Sequence, residues 1–348
     1  MSMKINQLQE LVGIWDATSS EEDVGKTSQY TAILEHLKFL GMGEWANYLP
    51  AHSPRFSSDF MVRLAAWIGN VEDATDRQLL LEYACRISFF SHDDVTALYR
   101  AAFNGPITRW VIEKAQLRFD SPDFSERLGS ELHKRTWYCP ITDSMDINEF
   151  YHVNHISGIE HRPSFATLAM LDPITDQPAS NLLKNLKLFI SKPDRQDPSC
   201  PLERLVLLED FVGSGTQMKA AIEWAAKKLN IPTLVVPLII CAPGRDALAG
   251  LTVEFKPLVS SAPIVQVDAH ELLGPQSLGL NRWAKSSEME ALAKRLSAEF
   301  PGILSFGFRQ TGCSVVTYSN TPNNSLPLIH QNPKAETWNP LFPRSSRV

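Results

Sequence analysis

The chain has 348 residues, 44% of them hydrophobic and 21% charged, with a net charge of -6 at pH 7. That balance excludes intrinsic disorder and supports the core of one large domain or two moderate ones. It also excludes coating of nucleic acid by bulk charge, while a local basic groove, and with it direct nucleic-acid binding, stays an open question.

No apolar run approaches the roughly 18 residues of a membrane span. The first residues carry acids where a secretory signal would carry a long apolar segment. A soluble cytoplasmic protein that does not engage a membrane is the expectation. The five cysteines, Cys85, Cys139, Cys200, Cys241 and Cys313, lie far apart with no CxxC pair. They read as buried thiols in a reducing compartment rather than a disulfide framework or a zinc site.

Residues 1–130 read as a helical domain. Phe60, Leu64, Trp67 and Ile68 are spaced for one helix face over Asp59–Asn70. Asp76 is placed to cap a helix running from Arg77 to Phe90, with Leu80, Tyr83, Ala84 and Ile87 on one side. Ser91, with Asp94 three residues on, opens another helix that Gly105 and Pro106 stop. Thr108–Leu117 begins a further short one. The polar stretch RFDSPDFSER breaks the periodicity, which puts a boundary between about 118 and 135. Trp67, Trp110 and Trp338 serve either a core or a docking face.

Beyond that boundary, residues 131–348 alternate strands and helices. Strands are expected at Thr136–Ile141, Phe165–Leu171, Leu205–Leu208, Leu234–Ile240, Ile264–Val267 and Cys313–Tyr318. Helices are expected at Asn181–Ser191, Met218–Leu229 and Glu288–Phe300. Short, purely apolar strands separated by helices imply an α/β layer fold with a mostly parallel sheet flanked by helices.

The segment richest in chemistry is RLVLLEDFVGSGTQM, Arg204 to Met218. It runs as an apolar strand, two adjacent acids, two apolar residues, a Gly/Ser/Thr loop and a helix. Ligands of open α/β sheets bind at the carboxyl ends of strands. A small-residue loop entering a helix presents backbone N–H groups and the positive end of the helix dipole to a phosphate. Gly213, Ser214, Gly215, Thr216 and Gln217 form that loop. Glu209 and Asp210 repel each other unless something compensates. A vicinal diol and Mg²⁺ would do so, because carboxylates accept from both hydroxyls and hard oxygen ligands suit Mg²⁺. Acids on a sugar and a nest on its phosphate describe a ribose 5-phosphate site. A strand-to-helix turn built for packing alone is the other account, and the paired acids speak against it.

LVLLEDFVGSGTQM resembles the ribose-phosphate signature of phosphoribosyltransferases, without a gap from Leu205 to Met218. The resemblance implies that Glu209 and Asp210 hold the ribose hydroxyls of phosphoribosyl pyrophosphate and that 213–217 hold its 5′-phosphate. It implies a phosphoribosyltransferase-like fold for 131–348 and Mg²⁺ carried by the substrate and Asp210, not by the protein alone. Purine-salvage members carry an acid at the position of Gly213, and their last loop Thr is Gln217 here. Both departures speak against purine salvage. With the helical front half and the tail NTPNNSLPLIHQNPKAETWNPLFPR, the chain is similar to a phosphoribosyltransferase-like family of bacterial conflict systems. That implies an antiphage effector, retron- or ATPase-associated, acting at ribose C1′ of a nucleotide or phosphoribosyl compound by transfer or by cleavage of a glycosidic bond. Its partners would be the ATPase or reverse transcriptase of a defence complex, docked through the helical domain.

Other readings use the same residues. A P-loop needs a lysine after Gly215, and a dinucleotide fingerprint needs a glycine where Met218 stands. Asp210-Phe-Val-Gly-Ser-Gly-Thr also resembles the cofactor loop of S-adenosylmethionine-dependent DNA amino-methyltransferases. Their catalytic (D/N/S)PP(Y/F) tetrapeptide does not occur here, and LVVPLIICAPG ends without an acid for the cofactor ribose. A non-catalytic, nucleotide-sensing module is the third alternative. Asp143 and Ser144 follow the first strand where the resembled fold contacts pyrophosphate, and an ordinary turn reads the same residues. His161 and Arg162 suit a mobile basic loop of that fold. His152-x-x-His155 lacks a third ligand with zinc-site spacing. Asn320, Asn323 and Asn324 suit either turn chemistry or the reading of a base.

Overall fold

The computed structural model describes residues 3–20, 29–142, 144–156, 203–216, 218–219, 222–223, 232–249, 251, 254–255, 283–300, 303, 305–331 and 338–345. The chain divides into two compact units, Met1–Asp93 with Val267–Val348, and Asp94–Gln266. The expected elements at Phe165–Leu171, Asn181–Ser191 and Ile264–Val267, and most of Met218–Leu229, lie outside the described residues.

The first unit opens with α1 (Ile5–Ser20), α2 (Gln29–Met42), α3 (Phe60–Ile68), α4 (Ala74–Ala84) and β1 (Ser88–Phe90). α3 follows its periodicity: Phe60, Leu64, Trp67 and Ile68 are buried. The Asp59 carboxylate caps it, accepting from the amides of Met61 at 2.8 Å and Val62 at 3.3 Å. The cap of α4 is Asp73 rather than Asp76, and it accepts from the Asp76 amide at 3.0 Å. This helix ends at Ala84, short of the expected Phe90. Ser88–Phe90 is instead a strand, paired in parallel with residues of the C-terminal stretch. A partner more than two hundred positions away leaves no trace in local periodicity.

α5 (His92–Ala102) spans the division at Asp93, and α6 (Thr108–Lys114) follows it in the second unit. Between them the chain widens into a π turn over Phe103–Ile107, where Gly105 and Pro106 interrupt the helix. The stretch 118–135, expected as a boundary, lies inside this unit, and α7 (Phe124–His133) occupies part of it. Only Leu132 of α7 is fully buried, so its apolar period is faint.

The sheet of this unit contains β2 (Thr136–Pro140), then, past α8 (Ile147–Val153), β3 (Arg204–Val212), β4 (Thr233–Ile240) and, past α9 (Ala242–Leu248), β5 (Glu254–Phe255). The order is β2-β3-β4-β5 and every pairing is parallel. β2 and β4 are buried along their whole length, as the continuous apolar runs require. Opposite charges meet at the entry to β2 and β3. Arg204 bonds Glu131 at 2.5 Å, and Arg135 bonds Glu203 at 2.7 Å. The mixed helix and parallel-sheet architecture fits the expected α/β class.

The C-terminal stretch completes the first unit with α10 (Ser286–Glu299), β6 (Val315–Thr317) and α11 (Pro327–His330). β6 pairs with β1 in a separate two-stranded sheet. The stretch is pinned through its carbonyls. Leu328 O accepts from the indoles of Trp67 at 2.7 Å and Trp338 at 3.0 Å. Arg63 Nε donates to Leu341 O at 3.0 Å, and the Tyr48 hydroxyl to Pro343 O at 2.6 Å. Trp67, Trp110 and Trp338 are at most 1% exposed. They are core residues of their units, which settles the choice between core and docking face. No described helix is long and apolar enough to cross a membrane.

Candidate functional site

The site lies at the carboxyl ends of β2 and β3. β3 runs past the expected Leu208 through both acids to Val212. Parallel pairing sets Pro140 beside Leu208, and the ladder continues one residue further, with the Ile141 amide donating to Leu208 O at 3.0 Å. Thr142 then leaves the ladder. Its amide turns to the Glu209 side chain, donating to Oε2 at 3.0 Å, while its hydroxyl lies 2.6 Å from Oε1. The Ser144 hydroxyl donates to Asp210 Oδ1 at 2.9 Å and lies 3.4 Å from Glu209 Oε1. The two hydroxyls are 2.5 Å apart. Asp210 Oδ1 also accepts from the Phe211 amide at 2.8 Å.

The line Glu209–Thr142–Ser144–Asp210 contains three oxygen–oxygen contacts, with the Thr142 hydroxyl donating to Glu209 Oε1 and the Ser144 hydroxyl to Asp210 Oδ1. Burial pushes the Glu209 carboxyl up to about 8, the Asp210 charge pushes the same way, and the Thr142 and Ser144 donors oppose both. Glu209 is 5% exposed, whereas Asp210 is only half-buried. The two acids therefore differ: Glu209 is enclosed and its carboxyl is held above the usual range, and Asp210 is half-buried.

The loop after β3 is built on close backbone approach. Gly215 has φ +74°, the left-handed region glycine tolerates. A Cβ there would stand 3.1 Å from Gly244 O and 3.2 Å from Ala247 Cβ. Gly244, in the first turn of α9, is tighter still: a Cβ would meet Gly213 O at 2.8 Å and Val212 Cγ1 at 2.9 Å. The Cys241 amide bonds Val212 O at 2.9 Å, which seats α9 against the loop. Thr216 begins the helix, and Lys219 N closes its first turn on Gly215 O at 2.8 Å. The Ser214 and Thr216 hydroxyls lie 3.2 Å apart, with Thr216 exposed. The first N–H groups of a helix have no partner within it, so the loop can take an anion.

β3 thus carries Glu209, Asp210 and the loop 213–216, and β2 delivers Ser144 to the two acids. Asp143, Gln217, His161 and Arg162 lie outside the described residues. Asn320, Asn323 and Asn324 belong to the other unit. There the Asn320 amide bonds Ser345 O at 3.2 Å, and the Asn324 amide bonds Thr311 Oγ1 at 2.9 Å and Phe308 O at 3.2 Å. Asn323 O accepts from the Phe308 amide at 2.9 Å. These contacts are turn and loop chemistry. Among the described residues, no group of three or more His, Cys, Asp or Glu comes together as a metal site.

Two residues escaped the sequence reading. Thr142 is a neighbour of Asp143 in sequence, and its signal is its place just past the end of β2, where the chain leaves the ladder and its amide and hydroxyl reach Glu209. Gly244 follows a Pro at a helix start directly after an apolar strand, where a small residue lets a neighbouring loop approach.

A parallel sheet, an acid pair toward the carboxyl end of β3 and the small-residue loop that follows it make this an α/β protein. The chain belongs to the PRTase-CE family, a phosphoribosyltransferase-like family whose model matches residues 64–344. No curated protein and no solved structure matches it.

Proposed function

We propose that this site binds the ribose 5-phosphate part of a nucleotide or of phosphoribosyl pyrophosphate, and that the reaction takes place at ribose C1′. The observation that supports this most strongly is the placement of two unlike acids and the Gly213–Thr216 loop at one strand end. The loop amides and the Ser214 and Thr216 hydroxyls hold the 5′-phosphate. Asp210 and Glu209 hold the ribose hydroxyls. A carboxylate against the sugar stabilises the positive charge that develops at C1′ as its bond to the leaving group breaks. The acceptor is either a nucleophile, giving transfer, or water, giving glycosidic cleavage.

The donor set fits Mg²⁺: carboxylate and hydroxyl oxygens are hard ligands. Asp210 and substrate oxygens would hold it, and bound there it neutralises phosphate charge. In this reading the sheet β2–β5 belongs to a phosphoribosyltransferase-like fold. The protein works in the cytoplasm as an effector of an antiphage system such as a retron, with an ATPase or reverse transcriptase as partner.

The test is calorimetric titration with phosphoribosyl pyrophosphate, ribose 5-phosphate, NAD, ATP and S-adenosylmethionine, each with and without Mg²⁺. The expected result is Mg²⁺-dependent binding of a ribose phosphate that Asp210→Asn weakens at least tenfold, the loss of one charge-assisted contact. Binding of S-adenosylmethionine alone refutes the proposal in favour of a methyltransferase. Tight ribose-phosphate binding with no turnover of any bound compound refutes the catalytic half and leaves a sensor.

A further inference from the structure

The two acids already have hydroxyl partners. Thr142 Oγ1 sits at 2.6 Å from Glu209 Oε1, and Ser144 Oγ at 2.9 Å from Asp210 Oδ1. The hydroxyls are within hydrogen-bonding distance of each other, at 2.5 Å, as are two hydroxyls on neighbouring carbons of a furanose. One hydroxyl per acid, side by side, is the set of contacts a vicinal diol would make. Backbone amides add to these contacts. Glu209 Oε2 takes the Thr142 amide, and Asp210 Oδ1 takes the Phe211 amide. Glu209 is 5% exposed, so a sugar cannot reach it while Thr142 keeps its place.

Resting on the ribose-phosphate reading above, we infer that the Thr142 and Ser144 hydroxyls are resident occupants of the positions a ribose diol takes, and that they set the affinity of the site by competing with it. Entry of the sugar displaces this hydroxyl pair and returns an equal number of donors to the acids. A ligand with one hydroxyl fewer leaves a buried carboxyl unpaired, so the pair acts as a filter for a complete diol. No covalent step is involved. The phosphate loop lies beyond the pair on β3 and takes no part in the exchange.

The competing account is that Thr142 and Ser144 merely orient the acids, and the two accounts predict opposite signs. The experiment is titration of ribose 5-phosphate with Mg²⁺, and of inorganic phosphate, into the full chain carrying Ser144→Ala, Thr142→Val, both, or Thr142→Ser. Competition predicts a Kd for ribose 5-phosphate that falls by roughly tenfold per hydroxyl removed, an unchanged Kd in Thr142→Ser, and an unchanged Kd for inorganic phosphate. Where the double variant does not fold, Ser144→Ala alone carries the comparison. A wild-type protein that binds ribose 5-phosphate, with variants binding it equally or more weakly, overturns the inference and leaves the ribose reading standing. A rise in affinity for inorganic phosphate of the same size also overturns it, because the gain then does not pass through the diol. Absence of ribose 5-phosphate binding in wild type and every variant overturns the ribose reading and this inference together.

Discussion

Substituting Glu209 by Gln isolates one proton. Gln keeps the shape of the neutral acid, so its amide can donate to the Thr142 hydroxyl while its carbonyl accepts the Thr142 amide. In the wild type, burial and then the Asp210 charge raise the Glu209 carboxyl from 4.5 to about 8. A carboxyl raised on folding binds its proton more tightly in the native state. Its contribution is therefore complete below about pH 4.5 and is lost as pH rises through about 8. Each pH unit in that window costs the wild type about 1.36 kcal/mol relative to Glu209→Gln, on the order of 5 kcal/mol across it. The assay is urea unfolding of both proteins at pH 5, 6, 7 and 8. Hydrogen exchange of peptides covering β2 and β3 restricts the reading to the second unit. Parallel stability curves would refute the reasoning: Glu209 would then be ionised throughout.

The loop and the first unit give two further expectations. Gly244→Ala places a Cβ 2.8 Å from Gly213 O. Backbone must shift, so a loss of about 1–3 kcal/mol and weaker inorganic phosphate binding by calorimetry are expected; Gly129→Ala in α7, with nothing within 4 Å, instead gains about 0.5–1 kcal/mol. His330 is held down to about 4 by burial, with the Arg344 charge adding to the effect and a bond to Ser325 O opposing it. A depressed histidine stabilises the native state above its unfolded value near 6.5, and that stability is lost as pH falls through 4. His330→Gln should flatten the pH 4–6.5 limb of unfolding followed in the first unit, by about 3 kcal/mol.

The parts of the fold written locally were legible. β4 is a run of apolar residues, α3 a spaced apolar stripe with an acid before it, and the acid pair within β3 is followed in order by the small loop. What depended on distant partners was not. Ser88–Phe90 looks like the end of a helix until Val315–Thr317 arrives to pair with it. Asp76 and Asp73 are both acids at a helix start, and only backbone direction tells which one caps. At the site the residue types were readable but their inequality was not. Glu209 and Asp210 are adjacent in sequence, and the register of β2 brings Thr142 to one acid and Ser144 to the other. The Asn320 and Asn324 side chains bond loop atoms of their own unit.

The division of the chain also dictates an order of events during synthesis. The second unit is one uninterrupted stretch, Asp94–Gln266, and it can close while later residues are still being joined. The first unit cannot. Its opening helices wait for β6 and for the carbonyls of Leu328, Leu341 and Pro343 before Trp67, Arg63 and Tyr48 find their partners. At ordinary translation speeds of about 5–20 residues per second, that wait is roughly ten to fifty seconds. For that time the Trp67 indole waits for Leu328 O, and the Phe60 and Trp45 rings for Phe342. A premature stop between Gln266 and Val315 would therefore release a protein whose second unit is complete and whose first unit never closes.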